Sequence, residues 1–389
     1  MSANLATWLE WIERQHSRSI DMGLERVRAV AARMGLGRPA RRVIVVAGTN
    51  GKGSTVAFVE AIARAAGWRV GTYTSPHLHR YNERVRIDGA EAGDAALVEA
   101  FEAVEAARLS PSPAASIPLT YFEYGTLAAL WLLQRSDLDL AVLEVGLGGR
   151  LDAVNLVDAD VAVITTVDLD HQDWLGADRE AIGAEKAGIA RAWKPLVLGE
   201  TDPPSSVLRH AYRIGANAVR LGSDFFGERL PEGGWRWREV GAQLDLPPPP
   251  LDAPAQLDNA ATAIAALRAL DVDPPEAAFA AGIAAARLPG RLQRFERDGV
   301  EIRVDVGHNP QAARALTGFL RAQPRRTLAV YAALADKDAA AVVAELEGQV
   351  AQWFLADLET DTPRGQDAQA LARRLAGSAA ARAPCFGSV

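Results

Sequence analysis

Residues 43–55 hold the spacing most able to do chemistry. The apolar run VIVVA at 43–47 leads into Gly48, Thr49, Asn50, Gly51, Lys52, Gly53, Ser54 and Thr55. Glycines let backbone N–H groups converge on phosphate oxygens, and the start of a helix adds a partial positive charge. Lys52 supplies a full charge for β- and γ-phosphates, and Ser54, or Thr55, can offer a hydroxyl to magnesium. The run is not the standard Walker A pattern, which needs glycine at Val46 and a hydroxyl residue at Gly53. A lone glycine turn would read as a strand-to-helix connection with a surface lysine. Here strand, glycine spacing, lysine and hydroxyl pair coincide, and together they read as a phosphate loop.

Ser75, Glu144 and His171 stand at the C-terminal ends of predicted strands, the edge where open parallel sheets bind ligands. Glu144 interrupts an apolar run, where a buried carboxylate is costly unless it is paired or meets a metal. Asp168, Asp170 and His171 follow the next strand. Magnesium prefers oxygen ligands, so the histidine is atypical for it. Singly, each reads as a hydrogen-bonded loop residue; gathered at one sheet edge beside a phosphate loop, they read as a metal site. Lys186 reads by composition as an exposed helix lysine. The run GLGGRL at 146–151 approaches a dinucleotide fingerprint, but Leu151 stands where glycine is required, which argues against NAD.

The elements that must position these residues alternate. Apolar, β-branched runs at 42–47, 69–74, 140–145 and 161–166 predict buried parallel strands. Helical spacing spans 5–34, 53–66, 94–108, 120–134 and 255–270, and 75–90 reads as a loop. Strand alternating with helix predicts a parallel sheet covered on both faces. Residues 243–254, with five prolines, read as a connector within the first domain. After a hinge at 288–291 the rhythm restarts, with strands at 292–297, 300–306, 327–331 and 353–356 and helices from Pro310 and Asp338.

A chain of 389 residues suits two domains. Lys plus Arg total 42 against 49 Asp plus Glu, a formal charge of −7, so the basic footprint of a nucleic-acid binder is missing. Any anionic substrate must meet a local positive site. One cysteine, Cys385, excludes an internal disulfide and fits a reducing compartment. There is no secretory leader pattern and no bilayer-length apolar run. The expectation is a cytoplasmic protein with neither nucleic-acid nor membrane partners.

Ordered along the chain are GTNGKGS at 48–54, TSPHL at 74–78, YNERV at 81–85, LTYFE at 119–123, LEVGLGGRLDA at 143–153, LDH at 169–171, EKAGI at 185–189, LPGR at 288–291 and DVGHNP at 305–310. This series resembles the folylpolyglutamate synthase family of the Mur ligase superfamily over almost the whole chain, and most of all its bifunctional dihydrofolate synthase/folylpolyglutamate synthases. The resemblance implies a P-loop-type, doubly wound, mainly parallel α/β domain at 1–287 that binds ATP and pterin. A smaller Rossmann-like α/β domain of glutamate-ligase type would follow at 288–389. It implies ATP, two Mg²⁺ ions and a place for a monovalent cation. Ser75, Glu144 and His171 would bind one magnesium, and Ser54 and Glu144 the one bridging the ATP phosphates. Lys186 would be carbamylated, turning a cation into an anionic oxygen ligand near the metal. Asn259, Arg291, Asp305 and His308 match positions that contact ATP; Phe122, Asp152 and Ala153 lie in segments that contact the pterin. Gly307 stands where alanine is commoner. Family members continue past the position of Val389 through another strand and helix, so the resemblance carries least weight for glutamate binding.

The activity implied is amide ligation by a monomer acting on dihydropteroate, reduced folates and L-glutamate. ATP would phosphorylate an acceptor carboxylate, and the amine of glutamate would displace phosphate. Lys52 and the metal ions would neutralise the transferring phosphoryl group. Alignment of the reactants can contribute roughly 7–11 kcal/mol in favourable cases. His308 or Asp305 would orient phosphate or amine, and domain closure about 288–291 would exclude water. The alternatives are a monofunctional folylpolyglutamate synthase, another Mur-type ligase acting on a cell-wall nucleotide precursor, and a nucleotide-gated switch without ligation.

Overall fold

The structure is a computed structural model that describes residues 4–16, 18, 20–359 and 364–387. Its contacts form two compact units: one of Met1–Val167, His171–Pro250 and Gln256–Leu288, the other of Asp168–Asp170, Leu251–Ala255 and Pro289–Val389.

The first unit opens with helices α1 (Leu5–Glu13) and α2 (Glu25–Met34). The Asn4 side chain caps α1 by accepting from Thr7 N at 2.9 Å. Strand β1 (Arg42–Ala47) then enters the core and leads through the glycine turn into α3 (Lys52–Ala65). Next come β2 (Val70–Tyr73), β3 (Val85–Ile87), β4 (Ala90–Glu91), α4 (Asp94–Arg108), α5 (Tyr121–Gln134), β5 (Leu140–Glu144) and β6 (Val161–Ile164). The run continues with α6 (Gln172–Leu175), α7 (Arg179–Ala187), β7 (Pro195–Leu198), α8 (Ser205–Ile214) and β8 (Asn217–Arg220). The sheet order is β4-β3-β2-β5-β1-β6-β7-β8, with β3 and β4 antiparallel at one edge and the remaining pairs parallel. Strand β1 lies between β5 and β6, with Val46 opposite both Glu144 and Val163. Residues 43–47 are buried on both faces, which is why they read as a continuous apolar run.

A small antiparallel sheet follows: β9 (Phe225–Arg229), β10 (Trp235–Glu239) and β11 (Ala242–Leu246). It buries Trp235 and Trp237 and packs beside α9 (Gln256–Arg268), where Trp237 Nε1 donates to Ala261 O at 3.1 Å. Helix α10 (Glu276–Ala285) completes the unit. Two expectations change here. Residues 243–246 are not connector but the last rung of an antiparallel sheet, and the prolines begin only after it. Residues 75–90 are not all loop, because Val85–Ile87 and Ala90 pair in register to extend the main sheet.

The second unit holds a hairpin of β12 (Gln293–Arg297) and β13 (Val300–Val304). Asp298 and Gly299 turn it with φ of 52° and 76°, the paired left-handed geometry that two-residue hairpins need. Helix α11 (Pro310–Ala322) is capped by Asn309 and carries proline in its first turn. Strand β14 (Leu328–Tyr331), α12 (Ala339–Leu346), β15 (Gln352–Ala356), α13 (Ala368–Arg374) and β16 (Cys385–Phe386) follow. The last three strands pair in parallel around a core that includes Val343, Trp353, Leu355 and Leu371.

Candidate active site

The phosphate loop is built on the C-terminal end of β6. Thr49 N donates to Thr166 O at 2.7 Å, and Asn50 N to Thr166 Oγ1 at 3.2 Å. Thr165 Oγ1 donates to Asn50 O at 2.5 Å. A side chain has no room at two of the glycines: a Cβ on Gly48 would lie 1.9 Å from Thr165 Oγ1, and one on Gly51 2.4 Å from Asn259 Oδ1. Gly51 also takes φ 87°, where L side chains are strained. It opens α3, a helix of 14 residues with no side-chain cap. That terminus aims N–H groups and the positive end of the helix dipole at the loop. Lys52 Nζ donates to Gly48 O at 3.0 Å and Thr49 O at 3.2 Å, which holds its ammonium over the loop. Ser54 and Thr55 are buried, and the Thr55 hydroxyl has no hydrogen-bond partner among the described residues.

Glu144 ends β5, is buried, and accepts from Ser75 N at 3.0 Å through Oε2. Neighbouring β1 delivers the phosphate loop at the same sheet edge. Carboxylate and hydroxyl oxygens are the donors magnesium takes, so these residues fit the ion. Among the described residues no three His, Cys, Asp or Glu side chains converge on a metal position. His171 precedes α6 in left-handed conformation, φ 51°. Lys186 is not the exposed helix lysine its composition suggests. It is 3% exposed, because the last turn of α7 packs on residues 149–150, where Arg150 N donates to Glu185 O at 2.8 Å. A Cβ on Gly149 would meet Lys186 O at 2.9 Å.

The loop after β5 carries two of the predicted acceptor residues, Asp152 and Ala153, and α5 sets the third, Phe122, against it. Asp152 accepts from Leu147 N and Val154 N, each at 2.9 Å, and so pins both ends of that loop. Burial pushes its carboxyl up to about 6, against the opposing pull of those N–H groups and of the Lys52 charge. Ala153, also buried, starts the short turn that Asp152 caps. The Phe122 ring lies where a Cβ on Gly146 would fall, 2.5 Å away, and its centroid is 6.0 Å from that of Tyr73. Sequence reasoning missed Arg84, a buried guanidinium that donates through Nε to His77 Nδ1 at 2.8 Å and stands over the rings of Tyr81 and Tyr121. Burial, with the Arg84 charge, lowers the His77 pKa. Thr165 and Thr166 were missed too; the available signal was a hydroxyl pair ending the strand next to the phosphate loop.

Asn259 sits in the first unit against Gly51, with Nδ2 donating to Gln256 Oε1 at 3.1 Å. The second unit holds Arg291, Asp305 and His308 together. Asp305 accepts from Leu292 N and Gly307 N, both at 2.7 Å, while Arg291 Nη1 donates to Gly290 O at 3.2 Å. His308 Nε2 lies 3.4 Å from Asp170 Oδ2, and Lys337 Nζ donates to Asp170 Oδ1 at 2.8 Å. Asp168 pairs with Arg314 at 2.6 Å.

Known proteins resemble this chain in sequence and in fold. The family model for the Mur ligase middle domain matches residues 46–225, and that for the Mur ligase glutamate ligase domain matches 290–388. The dihydrofolate synthase/folylpolyglutamate synthase of Escherichia coli (strain K12) is 49% identical over 373 residues, 95% of this chain and 85% of the relative. The structure of E. coli FolC in complex with DHPP and ADP superposes with a TM-score of 0.92 at 47% identity, covering 100% of this chain and 90% of that one. A bifunctional folylpolyglutamate synthase/dihydrofolate synthase with Mn, AMPPNP and L-glutamate bound gives 0.89 at 45% identity, with the same coverage. With both Mur ligase domains matched in order and close identity along nearly the whole length, the chain belongs to the dihydrofolate synthase/folylpolyglutamate synthase family of Mur ligases.

Proposed function

We propose that this chain joins L-glutamate to dihydropteroate, forming dihydrofolate, and to the γ-carboxylate of folates, extending a polyglutamate tail, each through an acyl phosphate made with ATP. The observation that carries the reading is the common edge of the main sheet, where the Lys52 loop, the Glu144–Ser75 pair and the Asp152 loop with Phe122 against it meet. Residues 1–287 would serve ATP and pterin, and 288–389 glutamate.

In this reading residues 48–55 hold the triphosphate, with Lys52 facing the β- and γ-phosphates and Asn259 backing the turn. Magnesium, when bound, would neutralise charge on the transferring phosphoryl group. Ser54, Ser75, Glu144, His171 and a carbamylated Lys186 are the residues to hold it. Phe122 offers a ring face to the flat pterin, and Asp152 and Ala153 shape the loop around it. Arg291, Asp305 and His308 contact nucleotide or orient phosphate and amine. No helix of the described residues is long and apolar enough to cross a membrane. A monomer working in the cytoplasm fits the acidic composition and single cysteine.

The test is incorporation of labelled L-glutamate with ATP and Mg²⁺, run in parallel on 7,8-dihydropteroate and a reduced folate. Product from both acceptors supports the bifunctional enzyme. Product from the folate alone makes it a folylpolyglutamate synthase. ATP hydrolysis without product from either rejects the reading.

A further inference from the structure

Beyond the residues assigned above, one ion pair grips the backbone on which the phosphate loop rests. Glu200, just past β7, accepts from Val167 N at 3.0 Å through Oε1 and from Arg179 Nη2 at 3.0 Å through Oε2. Arg179, the first residue of α7, donates from Nε to Val167 O at 2.8 Å and from Nη2 to Asp202 O at 2.9 Å. Both backbone polar groups of Val167 are thus held by the two members of a single pair. Val167 is 1% exposed and directly follows Thr165 and Thr166, which hold Thr49 and Asn50. The helix that supplies Arg179 also carries Lys186 near its other end. The side chains are 40% and 15% exposed for Arg179 and Glu200, so the pair adds little as a salt bridge alone. What it supplies is a fixed position for the end of β6.

We infer that Glu200 and Arg179 are positioning residues for the nucleotide loop, setting its height through Val167, Thr165 and Thr166 without touching ATP. The inference rests on the proposed role of residues 48–55. The experiment compares Glu200→Ala, Glu200→Gln, Arg179→Lys and the Glu200→Gln/Arg179→Lys double variant in steady-state kinetics, with thermal melts alongside. Glutamine keeps an acceptor for Val167 N but cannot pair with Arg179. For Glu200→Ala, KM for ATP should rise about tenfold, the usual scale for residues that orient a site. KM for glutamate and for the pterin acceptor should not change. Glu200→Gln should fall between, and the double variant should be no worse than its worse parent. An unchanged KM for ATP in Glu200→Ala would overturn the inference. So would a uniform rise in all three KM values with a lower melting temperature, or additive single effects. Lys52→Ala separates the layers: if it stays active, the loop assignment fails and the inference with it. If it is inactive while Glu200→Ala behaves as wild type, only the inference fails.

Discussion

Asp152→Asn should expose the conflict between burial and charge in the acceptor loop. The folded state raises this carboxyl from 3.8 to about 6. Between those values the native state binds a proton that the unfolded chain has released, so stability falls as pH rises through the window. About two pKa units correspond to roughly 3 kcal/mol, present in full as a cost above pH 6 and absent below pH 4. Asparagine removes that cost. It keeps one acceptor for Leu147 N or Val154 N and turns an amide NH₂ toward the other, a loss of about 1–3 kcal/mol. Near pH 7.5 the two effects roughly cancel; near pH 5 the hydrogen-bond loss is less offset. Urea denaturation of both proteins at pH 5 and pH 7.5 measures the difference. The variant should gain, relative to wild type, between the lower and the higher pH. A stability difference that does not change with pH would refute the assignment of a buried, ionising Asp152. Turnover should fall at both pH values, because the loop from 146 to 153 loses one of the hydrogen bonds that the Asp152 side chain makes to it.

Gly51→Ala should lose roughly 1–2 kcal/mol of stability from the left-handed backbone and, by pushing on Asn259, weaken ATP binding more than glutamate binding; thermal melts and titration with ADP check both. Glu144→Gln keeps an acceptor for Ser75 N but removes the charge. The Mg²⁺ concentration for half-maximal activity should rise by at least about tenfold while the melting temperature holds or rises; unchanged metal dependence would remove Glu144 from the metal site.

The chemistry-bearing residues that could be read from sequence are those whose meaning is local. Residues 48–55 announce a loop because strand, turn and helix are contiguous, and Glu144 stands out as a charge inside an apolar strand. The supports of that loop were not legible. Thr166 and Asn50 lie 116 positions apart, and Glu200 reaches Val167 across 33, so only the sheet order brings them together. Lys186 looked exposed because a helix of nine residues shows little of what it packs on; the structure buries it against residues 149–150. Strands β3 and β4 escaped notice because two- and three-residue strands carry almost no alternation, and β11 was masked by the prolines that follow it. Arg84 is buried by aromatic rings rather than by a carboxylate, a partnership no charge pattern reveals.

The central claim is that ATP is used to activate an acceptor carboxylate at the Lys52 loop. Dihydropteroate labelled with ¹⁸O in its carboxyl group tests it directly, with mass analysis of the phosphate released during amide formation. One ¹⁸O should appear in phosphate for each amide formed, because a carboxylate oxygen attacks phosphorus and leaves with it, and Lys52→Ala should yield neither amide nor label. Phosphate without label, or amide formed at an undiminished rate by Lys52→Ala, would contradict the account.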